Sequence, residues 1–269
     1  MNNKRLELSL INQIAYVRLT RAEKHNALDM PMFHDIADTI ATLKKQKNLR
    51  AVILSGDGEN FCTGLDIKEI LRSPSNGAKL LFKWLPWHSN LAQKVSTAWR
   101  ELPVPVIAVI HGRCWGGGLQ IALGADFRIA TPDVSLSIME GKWGLIPDMG
   151  GTLALRELVK QDVAKELAMT AKIINGEEAL ALGLVSHLSE QPMELAQQMA
   201  NDILLQSPDA IAGVKKLYNK SWWSSAGMAL ARESFYQLKI FFGKNSKIKI
   251  YNQTHDKDKA RAFKQRMKW

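Results

Sequence analysis

A run of three glycines stands at residues 116–118, inside HGRCWGGGLQIALG (111–124), where a strand-like stretch gives way to a helix-like one. Glycine suits places where the backbone must come close to another group or adopt a positive φ. The first N–H groups of a helix are free and attract anions. The stretch lacks both the Lys-Ser/Thr of a P-loop and the G-x-G-x-x-G spacing of a dinucleotide fold, so phosphate is not the expected anion. The alternative is a tight packing corner between strand and helix.

An enolate oxygen is a different anion that fits such a backbone. It forms when a thioester loses a proton from its α-carbon, and two backbone N–H groups directed at it form an oxyanion hole. One donor would come from the glycine run. The second would come from another glycine-bearing loop, for which FCTGLDIKE (61–69) is the candidate.

Apolar periodicity predicts the elements that hold these loops. LELSL and IAYVRLT indicate an N-terminal hairpin, and DMPMFHDIADTIATLKKQKN indicates a helix with Asp29 as its N-cap. RAVILSG and PVPVIAVIHG are typical of buried strands, DFRIA and VSLSI of short ones, and 78–102 of one or two helices interrupted at Pro86. From about residue 150 helical signals dominate. We therefore expect an α/β core over 1–204 and a helical region over 205–269, the boundary resting on the helix start SPDA.

Composition limits the class of protein. The chain of 269 residues is long enough for one large domain, and two cysteines, Cys62 and Cys114, indicate a reducing compartment rather than a disulfide framework. Because no stretch approaches the ~20 apolar residues of a membrane span, and the N-terminus does not look like a signal peptide, we expect a cytoplasmic protein with no membrane partner. The net charge of +10 indicates either a solvated basic surface or an anionic partner. The basic tail KIKIYNQTHDKDKARAFKQRMKW also carries aspartates, which favours an amphipathic helix over a nucleic-acid arm.

Four segments carry a resemblance to a known family. FCTGLDIKE, HGRCWGGGLQIAL, EGKWGLIPDMGGT and EALALGLV, in this order and spacing, resemble the crotonase superfamily, also called the enoyl-CoA hydratase/isomerase family, over about residues 10–220. The resemblance implies an α/β fold, a crotonase-like ββα superhelix core with a C-terminal helical trimerisation region. It further implies a homotrimer or a dimer of trimers, and a coenzyme A thioester that enters as the substrate. No separate cofactor, no metal and no nucleic acid are expected.

The resemblance also assigns roles by position. The oxyanion hole would be the backbone N–H groups of Leu65 and Gly117, and a side chain at Gly117 would obstruct the thioester. The loop RAEKHNALD (21–29) resembles the family's coenzyme A-contacting loop, with Lys24 as a phosphate partner. The residues expected to bind substrate or coenzyme A are Lys24, Ala27, Thr63, Gly64, Asp66, Ile67, Gly116 and Trp143.

The reaction depends on three further positions. Hydration in this family uses two glutamates, but here the first position is Gln120 and only the second, Glu140, can act as a base. A single glutamate at the second position resembles Δ3,Δ2-enoyl-CoA isomerases. Asp148 resembles the second carboxylate of dienoyl-CoA isomerases, although a turn residue after Ile-Pro is its structural alternative.

We therefore predict an enzyme that shifts a double bond of an enoyl-CoA, with Glu140 as base and with Gln120 and Asp148 as further catalytic candidates. A 2-enoyl-CoA hydratase of fatty-acid β-oxidation is the first alternative, with Glu140 working alone or with Asp148. A non-catalytic, RNA-binding family member is the second alternative, and the basic charge is the feature that supports it.

Aromatic and histidine side chains complete the prediction. Most of a set of five tryptophans are expected in the core, with Trp143 the one expected to contact substrate; the set comprises Trp84, Trp87, Trp99, Trp115 and Trp143. His111, at a strand end, is expected to make a structural hydrogen bond.

Overall fold

Strands and helices alternate along residues 4–269, the part of the chain that the computed structural model describes. The strands are β1 (Leu6–Ile11), β2 (Ile14–Leu19), β3 (Ala51–Gly56), β4 (Val106–Ile110), β5 (Arg113–Trp115), β6 (Phe127–Ala130), β7 (Ser135–Ser137) and β8 (His187–Leu188). One six-stranded sheet has the order β1-β2-β3-β4-β6-β8. Only β1 and β2 pair antiparallel in it, and β5 and β7 form a separate parallel pair. The predicted α/β class and the N-terminal hairpin are confirmed.

Helices cover the sheet and then make up the C-terminal third. They are α1 (Met30–Lys45), α2 (Ile67–Leu71), α3 (Pro74–Leu81), α4 (Leu91–Thr97), α5 (Gly117–Leu123), α6 (Gly151–Leu158), α7 (Gln161–Thr170), α8 (Gly176–Ala181), α9 (Pro192–Leu204), α10 (Pro208–Ser221), α11 (Ala226–Phe241) and α12 (Lys244–Thr254). Asp29 caps α1 as predicted, accepting a hydrogen bond from the Met32 N–H at 3.0 Å. Within the described residues none of these helices is both long and apolar enough to cross a membrane.

The central strands are buried on both faces. On β3, Val52 and Leu54 pack into the main core, while Ala51 and Ile53 join a second cluster on the opposite face. That second cluster includes two alanines of α9. Two covered faces explain why the strand sequences read as continuous apolar runs rather than as alternating ones.

The loops that carry the candidate chemistry leave the sheet at one edge. The segment 57–66 follows the carboxyl end of β3, and residues 111–112 follow that of β4 before β5 begins. Because β3 and β4 are parallel neighbours, both loops leave at the same edge, which is where open parallel sheets place their ligand sites.

The C-terminal region is joined to the core by a buried lysine. Lys215 on α10 donates from Nζ to Trp99 O at 3.0 Å, Val104 O at 2.9 Å and Asp126 Oδ2 at 2.6 Å. By contrast, α11 buries none of its residues.

The amphipathic helix predicted for the tail is wrong beyond Thr254, where α12 ends. The chain then makes one short 3-10 turn, Lys257–Lys259, and continues without regular structure. Its end packs back on α10, where Asp209 Oδ1 accepts from the Met267 N–H at 2.7 Å.

The tryptophan prediction holds for one member and fails for others. Trp99 is fully buried in the core. Trp84 and Trp87 are instead 83% and 77% exposed, so core packing is wrong for them. They lie in the irregular segment between α3 and α4, whereas Trp99 comes just after α4 and belongs to the main core.

Candidate active site

Two glycine loops, around residues 61–66 and 111–118, are joined by backbone hydrogen bonds at the strand ends. The Trp115 N–H donates to Cys62 O at 3.0 Å, and the Cys62 N–H donates to Arg113 O at 3.2 Å. Gly64 has φ +88°, and a Cβ built on it would lie 2.9 Å from Trp115 O and 3.2 Å from the Gly117 nitrogen. Glycine is required at 64 both by its positive φ and by this close approach.

Two amides at this junction remain unengaged. The Leu65 N–H donates no hydrogen bond to any residue in 4–269, although its neighbours are paired: the Leu28 N–H donates to Gly64 O at 2.8 Å and the Asp66 N–H to Leu28 O at 3.0 Å. Gly117 is the first residue of α5, where a backbone N–H has no acceptor within its own helix. Two adjacent loops therefore present free donors of the kind that an oxyanion needs.

Core packing gives a further reason for glycine at 117. A Cβ there would lie 2.7 Å from Met149 Sδ and 3.0 Å from Leu28 Cδ1. Both Met149 and Leu28 are buried, so a side chain at 117 collides with the core. The obstruction of the thioester expected at this position stays a prediction. The glycine that faces the carboxylate is Gly116, with φ +49°, whose Cβ would lie 3.4 Å from Glu140 Oε1.

Glu140 has one paired and one unpaired carboxylate oxygen. It lies in a 3-10 turn, Met139–Trp143, and its Oε1 accepts from Gln120 Nε2 at 2.6 Å. Its Oε2 is buried and has no hydrogen-bond partner among the described residues. A buried acceptor without a donor is costly, and it marks this oxygen as free to act on a ligand.

Burial raises the pKa of the Glu140 carboxyl above its ordinary value. Hydrogen bonds from its own backbone N–H and from Gln120 oppose this shift in pKa, and the negative charge of Asp148 adds to it. Partial shielding from water also raises the pKa of Asp148, although much of its side chain is exposed. A carboxylate with a raised pKa is the stronger base once ionised, as a proton-abstracting group requires.

Gln120 is fixed by the turn that precedes α6. Its side chain is 2% exposed, and its Oε1 accepts from the N–H groups of Met149 and Gly151, both at 2.9 Å. Since the oxygen is committed to two donors, the Nε2 must face Glu140. Gln120 therefore orients the carboxylate, and its oxygen is not available to hold a water.

The other predicted residues lie on two neighbouring segments, 21–29 and 61–67. Lys24 is exposed, and the Thr63 N–H donates to His25 O at 3.1 Å. The Ala27 carbonyl accepts from Arg21, and Asp66 caps α2, with Ile67 as its first residue, by accepting from the Glu69 N–H at 3.2 Å. Trp143 is exposed on the turn that follows Glu140.

Three polar groups near the site are structural. His111 Nε2 lies 2.9 Å from Gly58 O, which confirms the structural hydrogen bond predicted for it. Burial raises the pKa of the Cys62 thiol to about 12 and that of Cys114 well above its ordinary value, so neither is a nucleophile. Among residues 4–269 no three His, Cys, Asp or Glu side chains are grouped so as to hold a metal ion.

Sequence patterns did not identify three residues that contact the predicted site residues: Met149, Gly151 and Arg21. The first two act through backbone N–H groups, for which a sequence carries no signal. Arg21 belongs to a segment that the sequence analysis considered, because it begins RAEKHNALD. However, no local sequence pattern predicts its contact with Asp66.

Comparison with known proteins adds independent evidence. The sequence profile of the family described as enoyl-CoA hydratase/isomerase matches residues 10–257. The short-chain-enoyl-CoA hydratase of Clostridium acetobutylicum is 33% identical over 238 residues, which cover 87% of each chain. The mitochondrial Δ(3,5)-Δ(2,4)-dienoyl-CoA isomerase of Mus musculus is 32% identical over 210 residues, or 75% of this chain and 64% of that one.

Solved structures agree in fold. An enoyl-CoA hydratase from Bacillus anthracis superposes with a TM-score of 0.86 at 25% identity, covering 97% of this chain and 99% of the other. One from Thermoplasma volcanium gives a TM-score of 0.81 at 28% identity, covering 90% and 94%.

Proposed function

The chain belongs to the enoyl-CoA hydratase/isomerase family, and from that premise we propose that it shifts a double bond within an enoyl-CoA, with Glu140 as the base. It is an enzyme of that family with the crotonase fold. The proposed oxyanion hole is formed by the N–H groups of Leu65 and Gly117.

The observation that carries the proposal is the asymmetry of the pair formed by Gln120 and Glu140. Glu140 has an unpartnered Oε2, whereas Gln120 has its oxygen committed to Met149 and Gly151 and its nitrogen to Glu140. An amide cannot accept and release a proton at neutral pH. One ionisable group at this pair suffices to move a proton between two carbons of the same substrate.

The proton transfer proceeds in two steps. Glu140 Oε2 removes a proton from C2 of a 3-enoyl-CoA, and the electron pair of the C–H bond moves into the thioester to give a dienolate. The Leu65 and Gly117 amides stabilise the negative oxygen. Loss of a single such donor typically costs about 10²–10³-fold in rate. Glu140 then returns the proton to C4, which leaves a 2-enoyl-CoA and a free carboxylate.

Asp148 is proposed to serve substrates whose double bonds extend further from the thioester. It lies near enough to Glu140 for its charge to raise the pKa of that residue, and Asp148 itself is exposed. The 32% identity to a dienoyl-CoA isomerase supports this role.

Hydration of a 2-enoyl-CoA is the second candidate. It is favoured by the 33% identity to a short-chain-enoyl-CoA hydratase over most of both chains. In that case Glu140 would work alone or with Asp148, since Gln120 cannot act as the second base.

Coenzyme A is proposed to bind along segments 21–29 and 61–67, with Lys24 at a phosphate. The two segments are joined by backbone hydrogen bonds from Thr63 to His25 and from Leu28 to Gly64. The net charge of +10 suits a polyanionic ligand. No separate cofactor is needed for a proton transfer of this kind.

The assembly is proposed to be a homotrimer or a dimer of trimers. Support comes from α11, a sixteen-residue helix that buries no residue, and from large apolar side chains exposed on and beside it. These side chains are Met228, Leu230, Phe235, Leu238, Phe241 and Phe242. Large apolar side chains that stay exposed on a helix are a feature of interaction surfaces. A cytoplasmic location is proposed from the two free, buried cysteines.

The deciding experiment incubates the enzyme in parallel with a 2-enoyl-CoA and a 3-enoyl-CoA and identifies the products by mass. Isomerisation leaves the mass unchanged and moves the double bond, whereas hydration adds one water. We expect the 3-enoyl-CoA to be converted faster. Addition of water as the main reaction would establish the second candidate instead.

A further inference from the structure

The Arg21 guanidinium lies buried between the two segments that form one half of the proposed oxyanion hole. Arg21 is 4% exposed, and its NH1 donates to Ala27 O at 2.8 Å and to Asp66 Oδ2 at 2.8 Å. Its Nε lies 3.3 Å from Asp29 Oδ2 as an ion pair without an aligned hydrogen bond. One buried cation thus contacts both sides of the junction between 21–29 and 61–67.

The residues that Arg21 contacts, Ala27 and Asp66, lie next to the residues that hold the Leu65 amide. Ala27 precedes Leu28, and Leu28 is hydrogen-bonded to Gly64 and Asp66, the two neighbours of Leu65. Asp66 also caps α2. The orientation of the Leu65 N–H is therefore set by the backbone hydrogen bonds that Leu28 makes with Gly64 and Asp66, and Arg21 holds the two segments together beside them.

We propose that Arg21 is a positioning residue of the oxyanion hole, holding the Leu28 bridge against Gly64 and Asp66 so that the Leu65 N–H is aimed at the thioester oxygen before substrate binds. The inference rests on the proposed function, because it assigns Leu65 as a donor. A preorganised donor avoids the cost of reorientation during the reaction, and small misplacements of such groups cost orders of magnitude in rate.

A lysine could not replace this arginine. The planar guanidinium reaches a carbonyl and two carboxylates at once, whereas an ammonium group is a single point of contact on a flexible stem. Burial of the charge makes its pairing obligatory, since an unpaired buried charge is strongly destabilising.

Arg128 offers a matched control. It is also 4% exposed and bridges two backbone carbonyls, with Nε donating to Leu184 O at 2.7 Å and NH1 to Ala125 O at 2.8 Å. Its contacts lie on β6 and the loops beside it and include neither glycine loop. Arg128→Met therefore measures what loss of a buried arginine does to folding in general.

The test compares wild type, Arg21→Met, Arg21→Lys and Arg128→Met. One readout is the split between kcat and KM on an enoyl-CoA. The other is the absorption band of bound 4-dimethylaminocinnamoyl-CoA, which moves to longer wavelength when its thioester carbonyl is polarised. Melting temperatures are measured for every variant, and assays are run well below them.

We expect both Arg21 variants to lose most of the band shift and at least about 10-fold in kcat, with KM changed by less than about threefold, because a misaimed donor acts on the transition state more than on ground-state binding. Arg128→Met should lower the melting temperature and retain the band shift and kcat. Should Arg21→Met fail to fold, Asp66→Asn decides, since it removes the charge from the same contact, and it should show the same signature to a smaller extent.

A folded Arg21→Met, or in its place Asp66→Asn, with the full band shift and wild-type kcat overturns the inference. A loss of band shift in Arg128→Met equal to that in Arg21→Met also overturns it, because the effect would then be general loosening. Absence of any band shift and turnover in wild type would instead overturn the proposed function itself.

Discussion

Gln120 Nε2 lies 2.6 Å from Glu140 Oε1, and the other end of the same amide accepts hydrogen bonds from the Met149 and Gly151 N–H groups. The amide therefore links the turn before α6 to the Glu140 carboxylate, whose Oε2 is buried and has no hydrogen-bond partner among the described residues.

Glu140→Gln should remove most turnover, by about 10²–10⁴-fold, while the Kd for a coenzyme A thioester changes little. The same variant should be more stable than wild type at pH values above the folded-state pKa of Glu140. Because the folded-state pKa of Glu140 is raised, the wild-type carboxyl favours folding only while protonated and loses that contribution as pH rises through its pKa. Steady-state kinetics and melting temperatures from pH 5 to 9 test both points. Near-wild-type activity on every enoyl-CoA tried would contradict the assignment.

Gln120→Glu should slow isomerisation and raise hydration of a 2-enoyl-CoA. One carboxylate oxygen can still accept from Met149 and Gly151, but the other would replace the donating nitrogen beside Glu140 Oε1. Two carboxylates in that contact share a proton and titrate as a pair. Product analysis by mass gives both rates. If wild type already hydrates as fast as it isomerises and Gln120→Glu alters neither rate, the isomerase assignment fails and Asp148→Asn becomes the deciding variant.

Asp148→Asn should shift the acid limb of the pH profile of kcat/KM to lower pH. The negative charge of Asp148 raises the pKa of Glu140, so its removal lowers that pKa and allows Glu140 to ionise in more acidic solution. A 3-enoyl-CoA should still be converted, whereas a dienoyl-CoA should be converted more slowly. An unchanged acid limb would show that the two carboxyls do not interact.

Gly117→Ala should lower the melting temperature of wild type by more than it lowers that of Met149→Ala, which is the matched background. The added methyl meets Met149 Sδ at 2.7 Å, the movable part of a flexible side chain, while the Gly117 N–H remains in place. In the Met149→Ala background, Gly117→Ala should therefore change both activity and stability little. A double variant that melts like Met149→Ala alone but is inactive beside it would support the prediction that a side chain at 117 obstructs the thioester.

Phe235→Asp on α11 should reduce the mass of the particle measured by analytical ultracentrifugation. Phe235 is among the apolar side chains exposed on this helix, and a charge there disfavours burial against a second copy. Leu71→Asp on α2, also exposed, serves as the comparison outside the helical region. A wild-type particle that sediments as a monomer would contradict the proposed assembly.

Much of the architecture could be predicted from local pattern. The N-terminal hairpin, β3, β4 and the capped helix α1 were all expected where they lie, because strand and helix periodicities and an Asp-x-Pro start act over a few neighbouring residues. β5 and β8, with three and two residues, are too short to show a period. Four motifs in order were enough to indicate the family. The roles of Leu65, Gly117 and Glu140 stay predictions until the variants are measured.

The sequence by itself therefore determined the fold class, the family and which residue types stand at each chemical position, including a glutamine where a second glutamate could have been. Only the tertiary structure decided what those residues contact. The Gln120 oxygen meets N–H groups 29 and 31 residues further along the chain, and Arg21 meets Asp66 across 45 residues. Trp84 and Trp87 are exposed while Trp99 is buried, although all three are equally apolar. Such contacts depend on how distant loops pack at one edge of the sheet, and no local pattern of side chains encodes that packing.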